Sequence, residues 1–543
     1  MLNLAHQQFR PEVIPERGSL IFKNRYICCK NRKMNKLIFL VPVSLFLLTG
    51  CQNSQERIAK SEKPNIIYIL ADDLGYADLE CYGQEKIETP NIDALATGGM
   101  RFTQHYTSAP VCAPARCMLL TGLHAGHAQI RSNDEVGERG DVWNFEAVAN
   151  DPGLEGQRPM KPGTQTIATL LQQAGYKTGI VGKWGLGGPL TESTPNKQGF
   201  DFFFGYNCQR QAHTYFPLHL WKNNEKVPLN NRIVPPKTQL PREADPYDPE
   251  SYSNYWLIDY ASEHMQKELI QFIKDNKNRP FFLYYANPIP HLPLQAPSRL
   301  VEQYVKKFGD EEPYTGDRGY FPQRYPRACY AAMVSYFDEQ VGEIVATLKE
   351  QGIFQNTLIL FSSDNGPSGG TNSPWFKSAK PFKSNSGRIK GYVYEGGIRI
   401  PMIAHWPGKI KPGTETGLIS AHYDVLPTLC DLTGAIPPEN IDGISFLPTL
   451  LGKKQQNKHE FLYWEFPSYG GQQALRLGKW KGIRKNIFKD SLQIQLFNLE
   501  EDIQELNDVA ALHPDVILRI ENIFKQEHTP AEIEKFRMKQ LGD

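Results

Sequence analysis

The stretch Val111–Gly122, VCAPARCMLLTG, decides how this chain is interpreted. Cys112, Pro114 and Arg116 stand two residues apart, and Pro114 suits the first turn of a helix, where its missing N–H costs nothing. The pattern predicts that Cys112 lies just before a helix N-terminus, where free N–H groups favour negative charge. Arg116, one turn into the helix, adds a guanidinium group that can bind an oxyanion. A cysteine without such neighbours is usually a buried core residue.

Polar side chains follow four runs that have the composition of buried strands. The runs are short, apolar and rich in β-branched or aromatic residues: Asn65–Leu70, Lys177–Val181, Pro280–Ala286 and Asn356–Ser362. The polar residues that follow them are Asp72 and Asp73, Lys183, His291, and Asp364 and Asn365. Because ligands of open α/β sheets bind outside the carboxyl ends of the strands, these side chains should meet in one crevice. Their acidic oxygen ligands suit calcium better than softer transition metals.

Taken together, these motifs resemble the formylglycine-dependent sulfatases of the alkaline phosphatase superfamily. Cys112, Pro114 and Arg116, followed by Leu120-Thr121-Gly122, match the signature Cys-x-Pro-x-Arg with Leu-Thr-Gly, and the resemblance extends from Pro64 to about Ala510. It implies that a sulfatase-maturating enzyme oxidises Cys112 to formylglycine, whose hydrated aldehyde is the nucleophile. It also implies a Ca²⁺ site, with the ligands Asp72, Asp73, Asp364, Asn365 and residue 112.

The same resemblance implies which groups bind sulfate and where this chain departs from the pattern. The matching catalytic residues are Cys112, Arg116, Lys183, His291 and Lys390, the last standing in KGYVYEGGIRIP. The family commonly has histidine two residues after the first lysine, as the base acting on the hydrated aldehyde, whereas this chain has Gly185. We predict that His127, in Leu123-His124-Ala125-Gly126-His127, replaces that base, with His124 as the next candidate.

An aromatic-rich segment is a candidate for binding the organic part of the substrate. Phe200–Pro217, FDFFFGYNCQRQAHTYFP, places several rings beside Arg210 and His213. Aromatic rings next to hydrogen-bonding side chains suit a sugar, although each ring taken alone is more simply explained by core packing. We therefore predict that Arg210 and His213 contact the substrate.

The length and the pattern of the chain predict an α/β fold. With 543 residues, 40% of them hydrophobic, it can bury a large core and form one large domain with a smaller one. We expect a catalytic domain over 64–435, with a large mixed, mostly parallel sheet flanked by helices. A smaller C-terminal subdomain over 436–543 should contain an antiparallel sheet and a helix; its predicted elements are strands at His459–Trp464, Leu475–Arg484 and Leu492–Leu499 and a helix at His513–Phe524.

The first part of the chain resembles a bacterial lipoprotein leader. Residues 1–33 show no apolar periodicity and are expected to precede the true start at Met34. Residues 34–50 have a basic start and a short apolar run, which is typical of a signal peptide and too short to span a bilayer. Leu48–Cys51 resembles a lipobox, which implies lipid attachment at Cys51, a tether over 51–63, and a membrane-anchored location in the periplasm or at the cell surface.

Charge and cysteine usage exclude several classes of protein. The net charge is +1, which argues against an electrostatic grip on nucleic acid. The nine cysteines contain no CxxC pair, so neither a zinc site nor a disulfide scaffold is indicated.

The sequence therefore predicts an exported hydrolase of sulfate esters. Its expected substrates are sulfated carbohydrates, 6-sulfated galactose or N-acetylgalactosamine first. One alternative is a phosphonate or phosphate-ester hydrolase of the same superfamily, because the site suits either tetrahedral anion. Another is an inactive glycan-binding lipoprotein, against which the intact Cys112 and metal-ligand positions argue.

Overall fold

The computed structural model describes residues 63–455 and 457–543. The predicted extension over 1–33, the signal peptide over 34–50, the lipidated Cys51 and all but the last residue of the tether over 51–63 lie outside the described residues. Within the described part of the chain, no helix is both long enough and apolar enough to cross a membrane.

The described residues form sixteen strands. In chain order they are β1 Asn65–Ala71, β2 Met100–Phe102, β3 His105–Tyr106, β4 Lys177–Lys183, β5 Phe202–Tyr206, β6 His219–Lys222, β7 Glu225–Pro228, β8 Phe281–Ala286, β9 Thr357–Ser363, β10 Met402–His405, β11 Thr414–Thr416, β12 Ser420–Ala421, β13 Leu462–Phe466, β14 Gln472–Leu477, β15 Trp480–Lys485 and β16 Gln495–Asn498. Ten of them make one mixed sheet in the order β11-β2-β10-β9-β1-β8-β4-β5-β6-β7. Its centre, from β9 to β5, is entirely parallel, as the sequence predicts.

Twelve α-helices accompany these strands. They are α1 Pro90–Thr97, α2 Cys112–Thr121, α3 Phe145–Asn150, α4 Ile167–Gln173, α5 Ala261–Asn276, α6 Ser298–Phe308, α7 Pro326–Glu350, α8 Ser373–Phe376, α9 Glu395–Ile398, α10 Val425–Thr433, α11 Leu447–Leu450 and α12 Pro514–Glu527. The predicted large sheet flanked by helices is confirmed.

Strand β1 explains why the sheet needs helices on both faces. All seven of its residues are buried, and successive side chains of a strand point to opposite faces. Ile67 and Ile69 belong to one hydrophobic cluster, which includes residues of α5 and α7. Ile66 and Leu70 belong to a second cluster, which includes residues of α2, α4 and α10. Helix α2, which begins at Cys112, is therefore anchored in the core on one face of the sheet.

The C-terminal subdomain is built around a four-stranded antiparallel sheet in the order β13-β14-β15-β16. Ile520 and Phe524 of α12 pack with Leu475 and Leu496 of this sheet in one cluster. The single strand predicted over Leu475–Arg484 is wrong: the segment is a hairpin, because Gly478 adopts a left-handed backbone with φ of 58° and reverses the chain. The predicted antiparallel sheet and helix are otherwise confirmed.

A buried ionic group, which we call the Glu395 cluster, joins the two parts. It consists of Glu395, Lys481, Glu505 and Arg399. Lys481 Nζ lies 2.8 Å from Glu395 Oε1, and Arg399 Nη1 lies 3.2 Å from Glu395 Oε2. Burial alone would raise the pKa of Glu395, but Lys481 and Arg399 lower it to about 2. Glu505 is buried with less compensation, so its pKa rises to about 7.

Candidate active site

Five neighbouring parallel strands end around one pocket. Polar residues follow β1, β8, β9 and β5, and Lys183 is itself the last residue of β4. Topology alone brings these residues together, since parallel strands present their carboxyl ends at one edge. The predicted convergence of Asp72, Lys183, His291 and Asp364 is what the structure shows.

Cys112 begins α2 rather than preceding it. Val111, with extended backbone, is the N-cap residue. Cys112 Sγ lies 3.5 Å from Asp72 Oδ1 and 3.6 Å from Lys390 Nζ. Burial and the nearby Asp72 carboxylate raise the pKa of the Cys112 thiol to about 12. Residue 112 therefore lies between a carboxylate and an ammonium group at the start of a buried helix.

Three carboxylates and one amide form the acidic side of the site. Asp73 has a left-handed backbone with φ of 67°, which interrupts the strand alternation that would send adjacent aspartates to opposite faces. The Asp73 backbone N–H donates to Asp364 Oδ1 at 3.1 Å, and Asn365 Nδ2 donates to Asp73 Oδ1 at 2.7 Å. Burial and Asp72 together raise the pKa of Asp364 to about 7.

Arg116 and Lys183 neutralise these carboxylates from within the protein. Arg116 Nε and Nη2 contact Asp364 Oδ2 at 3.1 and 2.9 Å, and Nη2 lies 3.4 Å from Asp72 Oδ2. Lys183 Nζ forms an ion pair with Asp72. Although burial opposes the charge of Asp72, Lys183 and its other cationic neighbours hold its pKa well below the ordinary range. Arg116 thus orients Asp364 and Asp72 and is not among the residues that line the pocket.

Lys390 and His291 complete the site on the side of Asp73. Lys390 Nζ lies 2.8 Å from Asp73 Oδ2, and His291 Nε2 lies 3.6 Å from the same oxygen. The Nδ1 atom of His291 lies 2.6 Å from the Leu292 carbonyl oxygen, which identifies Nδ1 as the protonated nitrogen. Burial and Lys390 lower the pKa of His291 to about 4, so its Nε2 is an acceptor near neutral pH.

The donor set fits a hard divalent cation. Asn365 uses its Nδ2 for two hydrogen bonds, while its buried Oδ1 has no hydrogen-bond partner. Ligand atoms of Asp72, Asp73, Cys112 and His291 all lie within 4.8 Å of one another. This group includes the Cys112 thiol and the His291 imidazole as well as two carboxylates. The carboxylate oxygens, together with the Asn365 amide oxygen, are the ligands that Ca²⁺ prefers.

The opening above these groups, which we call the site pocket, has a volume of about 270 Å³. Its walls are formed by Val111, Cys112, Ser132, Asn133, Lys183, Gln209, Arg210, His213, His291, Tyr320, Lys390, Phe466, Ser468 and Tyr469. The predicted substrate residues Arg210 and His213 are therefore both at the pocket. Arg210 pairs with Glu135, and the His213 ring centroid lies 5.0 Å from that of His291. Burial and His291 lower the pKa of His213 well below its ordinary value.

The structure does not bring His127 to the pocket. Its Nδ1 lies 2.8 Å from Asp442 Oδ1, and its ring stacks on that of His124 with centroids 4.3 Å apart. Both histidines follow the C-terminal end of α2, whereas Cys112 begins that helix. A helix of ten residues is about 15 Å long, so proximity in sequence does not become proximity in space. His127 as the replacement base is thus wrong, and His124 fails for the same reason.

Gln209 occupies the space that a side chain at Gly185 would need. Gly185 has φ of 75°, and a Cβ built on it would lie 2.6 Å from Gln209 Cγ. Gln209 lines the site pocket, and its buried Nε2 has no hydrogen-bond partner. The absent histidine is therefore replaced in space by a neutral amide from the end of β5.

Sequence reasoning missed several residues of the pocket wall. Asn133 accepts the Ala113 backbone N–H of α2 at 3.0 Å through its Oδ1, and Ser132 Oγ lies 2.6 Å from Ser468 Oγ. Tyr469 comes from the β13–β14 connection of the C-terminal subdomain. Only the turn composition of Ser468-Tyr469-Gly470-Gly471 could have indicated a loop there, and nothing in that composition indicates which loop reaches the site.

Comparisons with known proteins agree with this geometry. A family model described as Sulfatase matches residues 64–435, and one described as N-sulphoglucosamine sulphohydrolase, C-terminal, matches residues 389–529. Human arylsulfatase A is 32% identical over 443 residues, which cover 78% of this chain and 75% of that protein. The N-acetylgalactosamine-6-O-sulfatase of Bacteroides thetaiotaomicron is 29% identical over 556 residues, which cover 92% of this chain and 100% of that protein.

A solved structure shares the fold over most of its length. The crystal structure of Ps i-CgsB superposes with a TM-score of 0.67 at 29% identity, covering 86% of this chain and 93% of that one. A second crystal structure of Ps i-CgsB is a complex with k-i-k-neocarrahexaose. The family match spans most of the chain, and Cys112, carboxylates and cationic side chains meet at the site pocket. These findings lead to one conclusion: this chain belongs to the sulfatase family and is a sulfuric ester hydrolase.

Proposed function

We propose that the enzyme removes sulfate from carbohydrates, with 6-sulfated N-acetylgalactosamine or galactose as the first candidates. The observation that carries this proposal is the composition of the site pocket. The residues that line it include Lys183, Lys390 and His291 beside Cys112. They also include aromatic and hydroxyl side chains, namely Tyr320, Phe466, Tyr469, Ser132 and Ser468. Cationic groups suit the sulfate, and rings beside hydroxyls suit a sugar. The B. thetaiotaomicron relative is an N-acetylgalactosamine-6-O-sulfatase, which supports the choice of the 6-sulfate.

We propose that Asp72, Asp73, Asp364 and Asn365 hold Ca²⁺ and that Cys112 becomes formylglycine through a sulfatase-maturating enzyme. The unpartnered Asn365 Oδ1 beside three carboxylates supports the metal assignment. The cation would supply Lewis-acid stabilisation, and formylglycine would supply an aldehyde whose hydrate is the nucleophile. We expect a chelator to abolish the activity and Ca²⁺ to restore it. Adding Mg²⁺ or Zn²⁺ instead of Ca²⁺ shows which metal the site prefers.

The chain's own residues prepare the site for charge movement during S–O cleavage. Arg116 and Lys183 fix Asp364 and Asp72, so the acidic ligands do not have to reorganise. Lys390 approaches Cys112 Sγ at 3.6 Å and is the ammonium group placed to stabilise or protonate the leaving oxygen. His291, with an acceptor Nε2 beside Asp73, is placed to receive or hold a proton.

Release of inorganic sulfate from position-defined sulfated monosaccharides tests the proposed function. Galactose, N-acetylgalactosamine and N-acetylglucosamine, each sulfated at O3, O4 or O6 where available, should be compared with an aryl sulfate and an aryl phosphate. We expect the highest kcat/KM on a 6-sulfated galacto-configured sugar. Preferred hydrolysis of the aryl phosphate would instead favour the phosphate-ester alternative, and turnover of the aryl sulfate alone would contradict the glycan assignment.

The histidine assignments predict opposite results for two substitutions. His127→Ala should leave kcat within about twofold of wild type, because His127 contacts Asp442 and not the site pocket. His291→Ala should lower kcat about 100-fold, which is typical of the loss of a positioned acid or base. Single-turnover sulfate release measures both, and His264→Ala, on the half-exposed face of α5, is a matched control. A large effect at His127 would contradict the geometry.

We propose that the protein is exported and anchored by lipid at Cys51. The lipobox resemblance at Leu48–Cys51 supports this. Cys51→Ala should abolish incorporation of labelled palmitate and move the enzyme from the membrane fraction to the soluble fraction, while the sulfatase activity per molecule is unchanged. Equal labelling of wild type and Cys51→Ala would contradict the anchor.

A further inference from the structure

Tyr469 is an exposed aromatic residue in an unusual position. Its fractional exposure is 62%, although it lines the wall of the site pocket. It has a left-handed backbone with φ of 50°, which is costly for a residue with a bulky side chain. Gly470 and Gly471 follow with φ of 89° and 75°, so the β13–β14 connection is a tight turn that presents this ring. Neither the exposure nor the strain of Tyr469 is explained by packing of the core.

The ring is held against the backbone next to Lys390. A Cβ built on Gly391 would lie 3.2 to 3.4 Å from three atoms of the Tyr469 ring, so one part of the ring covers this glycine. The ring of Phe466 stacks on that of Tyr469, with centroids 5.8 Å apart and an angle of 25° between the planes. The centroid of the Tyr392 ring lies 5.7 Å from that of Tyr469. The ring is thus held by Gly391, Phe466 and Tyr392, although most of the residue stays exposed to solvent.

Gly391 is itself fixed in position. Its N–H donates to the Pro110 carbonyl at 2.8 Å, and its carbonyl accepts from Gln472 Nε2 at 2.8 Å. Pro110 lies two residues before Cys112, and Lys390 Nζ lies 3.6 Å from Cys112 Sγ. Tyr469 therefore has a defined place relative to both the nucleophile and the lysine that faces the leaving oxygen.

We propose that Tyr469 is a platform for the sugar ring that leaves with this oxygen. The proposal rests on the proposed function, and it adds a binding site for the pyranose contributed by the C-terminal subdomain. A sulfate held at Cys112 between Lys183 and Lys390 must direct its ester oxygen towards the mouth of the site pocket. An exposed aromatic ring that lines this pocket suits the C–H face of a pyranose. The nearby Ser132 and Ser468 hydroxyls suit its hydroxyl groups.

Substitution of Tyr469 by glycine separates binding from stability. Glycine removes the ring but accepts a positive φ, so relief of strain should offset the lost contacts and keep Tm within about 2 °C of wild type. KM for the preferred sulfated monosaccharide should rise about 10-fold, while inhibition by inorganic sulfate is unchanged. Tyr469→Phe should behave like wild type, because the ring face makes the contact. Leu190→Gly is a matched control, since Leu190 is 82% exposed with φ of 63° and does not line the site pocket.

The possible outcomes separate the platform from the proposed function. Glycan turnover with an unchanged KM in Tyr469→Gly would overturn the platform alone. A rise of about 10-fold in the inhibition constant of inorganic sulfate would mean that the whole site is disturbed. A fall in Tm well beyond about 2 °C would mean that the protein is destabilised. Either result would assign Tyr469 a structural role and overturn the platform. A wild-type enzyme that hydrolyses an aryl sulfate but no sulfated monosaccharide would overturn the glycan assignment and the platform with it.

Discussion

Replacing Cys112 by alanine should reduce sulfate release by at least about 10⁴-fold and leave the fold intact. The residue carries the proposed nucleophile, and a covalent route divides a difficult hydrolysis into two easier steps that no neighbour can supply. Cys112 is almost fully buried, and alanine removes only one sulfur atom from this position. Initial rates on the preferred sulfated sugar, together with circular dichroism and Tm, measure both expectations.

Cys117→Ala provides the matched control for that experiment. Cys117 is also buried in α2, but it does not line the site pocket. Its substitution should cost some stability and leave kcat within about twofold of wild type. Peptide mass spectrometry of the active wild-type enzyme should show loss of the thiol and gain of an aldehyde at residue 112. An active preparation in which this residue is an unmodified cysteine would contradict the mechanism.

Lys481→Met should lower the free energy of unfolding by about 3 kcal/mol or more. Lys481 is fully buried and lies 2.8 Å from Glu395 and 3.6 Å from Glu505. Removing Lys481 takes away the cation nearest to Glu395 Oε1 and leaves Glu395 paired with Arg399 alone. Loss of one partner of a buried ion pair typically costs about 3–5 kcal/mol, and the retained Arg399 favours the lower end of that range. Urea unfolding at neutral pH measures the change. Lys479→Met, two residues earlier and exposed, should change it by less than about 0.5 kcal/mol.

The loss of stability in Lys481→Met should depend on pH, and the pKa of Glu395 fixes the direction of this dependence. Lys481 and Arg399 hold the pKa of Glu395 near 2, below the ordinary value of 4.5. A carboxylate with a lowered folded pKa stabilises the protein above its unfolded pKa, and this contribution is lost as the pH falls through the folded value. The difference in the free energy of unfolding between wild type and Lys481→Met should therefore be largest near neutral pH and become smaller below about pH 4. A difference independent of pH would mean that Lys481 stabilises by packing alone.

The central part of the fold and most of the site could be predicted from sequence because they depend on local patterns. Each apolar run with a polar residue at its end was a strand in the central parallel sheet, and topology placed those ends together. Asp72, Lys183, His291 and Asp364 met for that reason. The prediction that Cys112 carries the nucleophile rests on the resemblance of its surrounding motif to a known family.

The parts that failed depend on three-dimensional distance. His127 is close to Cys112 in sequence, but α2 separates the two residues in space. The hairpin turn at Gly478 lies inside Leu475–Arg484, a segment in which apolar residues are mixed with basic ones, a pattern that also fits one continuous strand. Three other features join segments that are separated in the chain. They are the contact of Gln209 with Gly185, the Glu395 cluster and the Tyr469 turn. No local pattern encodes such pairs, because each depends on how the sheets pack.

The attachment of the Lys390 segment to the C-terminal sheet has a consequence for building chimeric enzymes. Gln472 binds Gly391, the Arg388 guanidinium donates to the Glu505 carbonyl at 2.8 Å, and Lys481 holds Glu395. The segment that carries Lys390 is therefore attached to the same sheet whose turn carries Tyr469. A crossover placed after residue 435 would separate this segment from that sheet, whereas one placed before residue 388 would transfer both as a unit. Exchange of substrate preference between relatives should succeed only at the earlier junction.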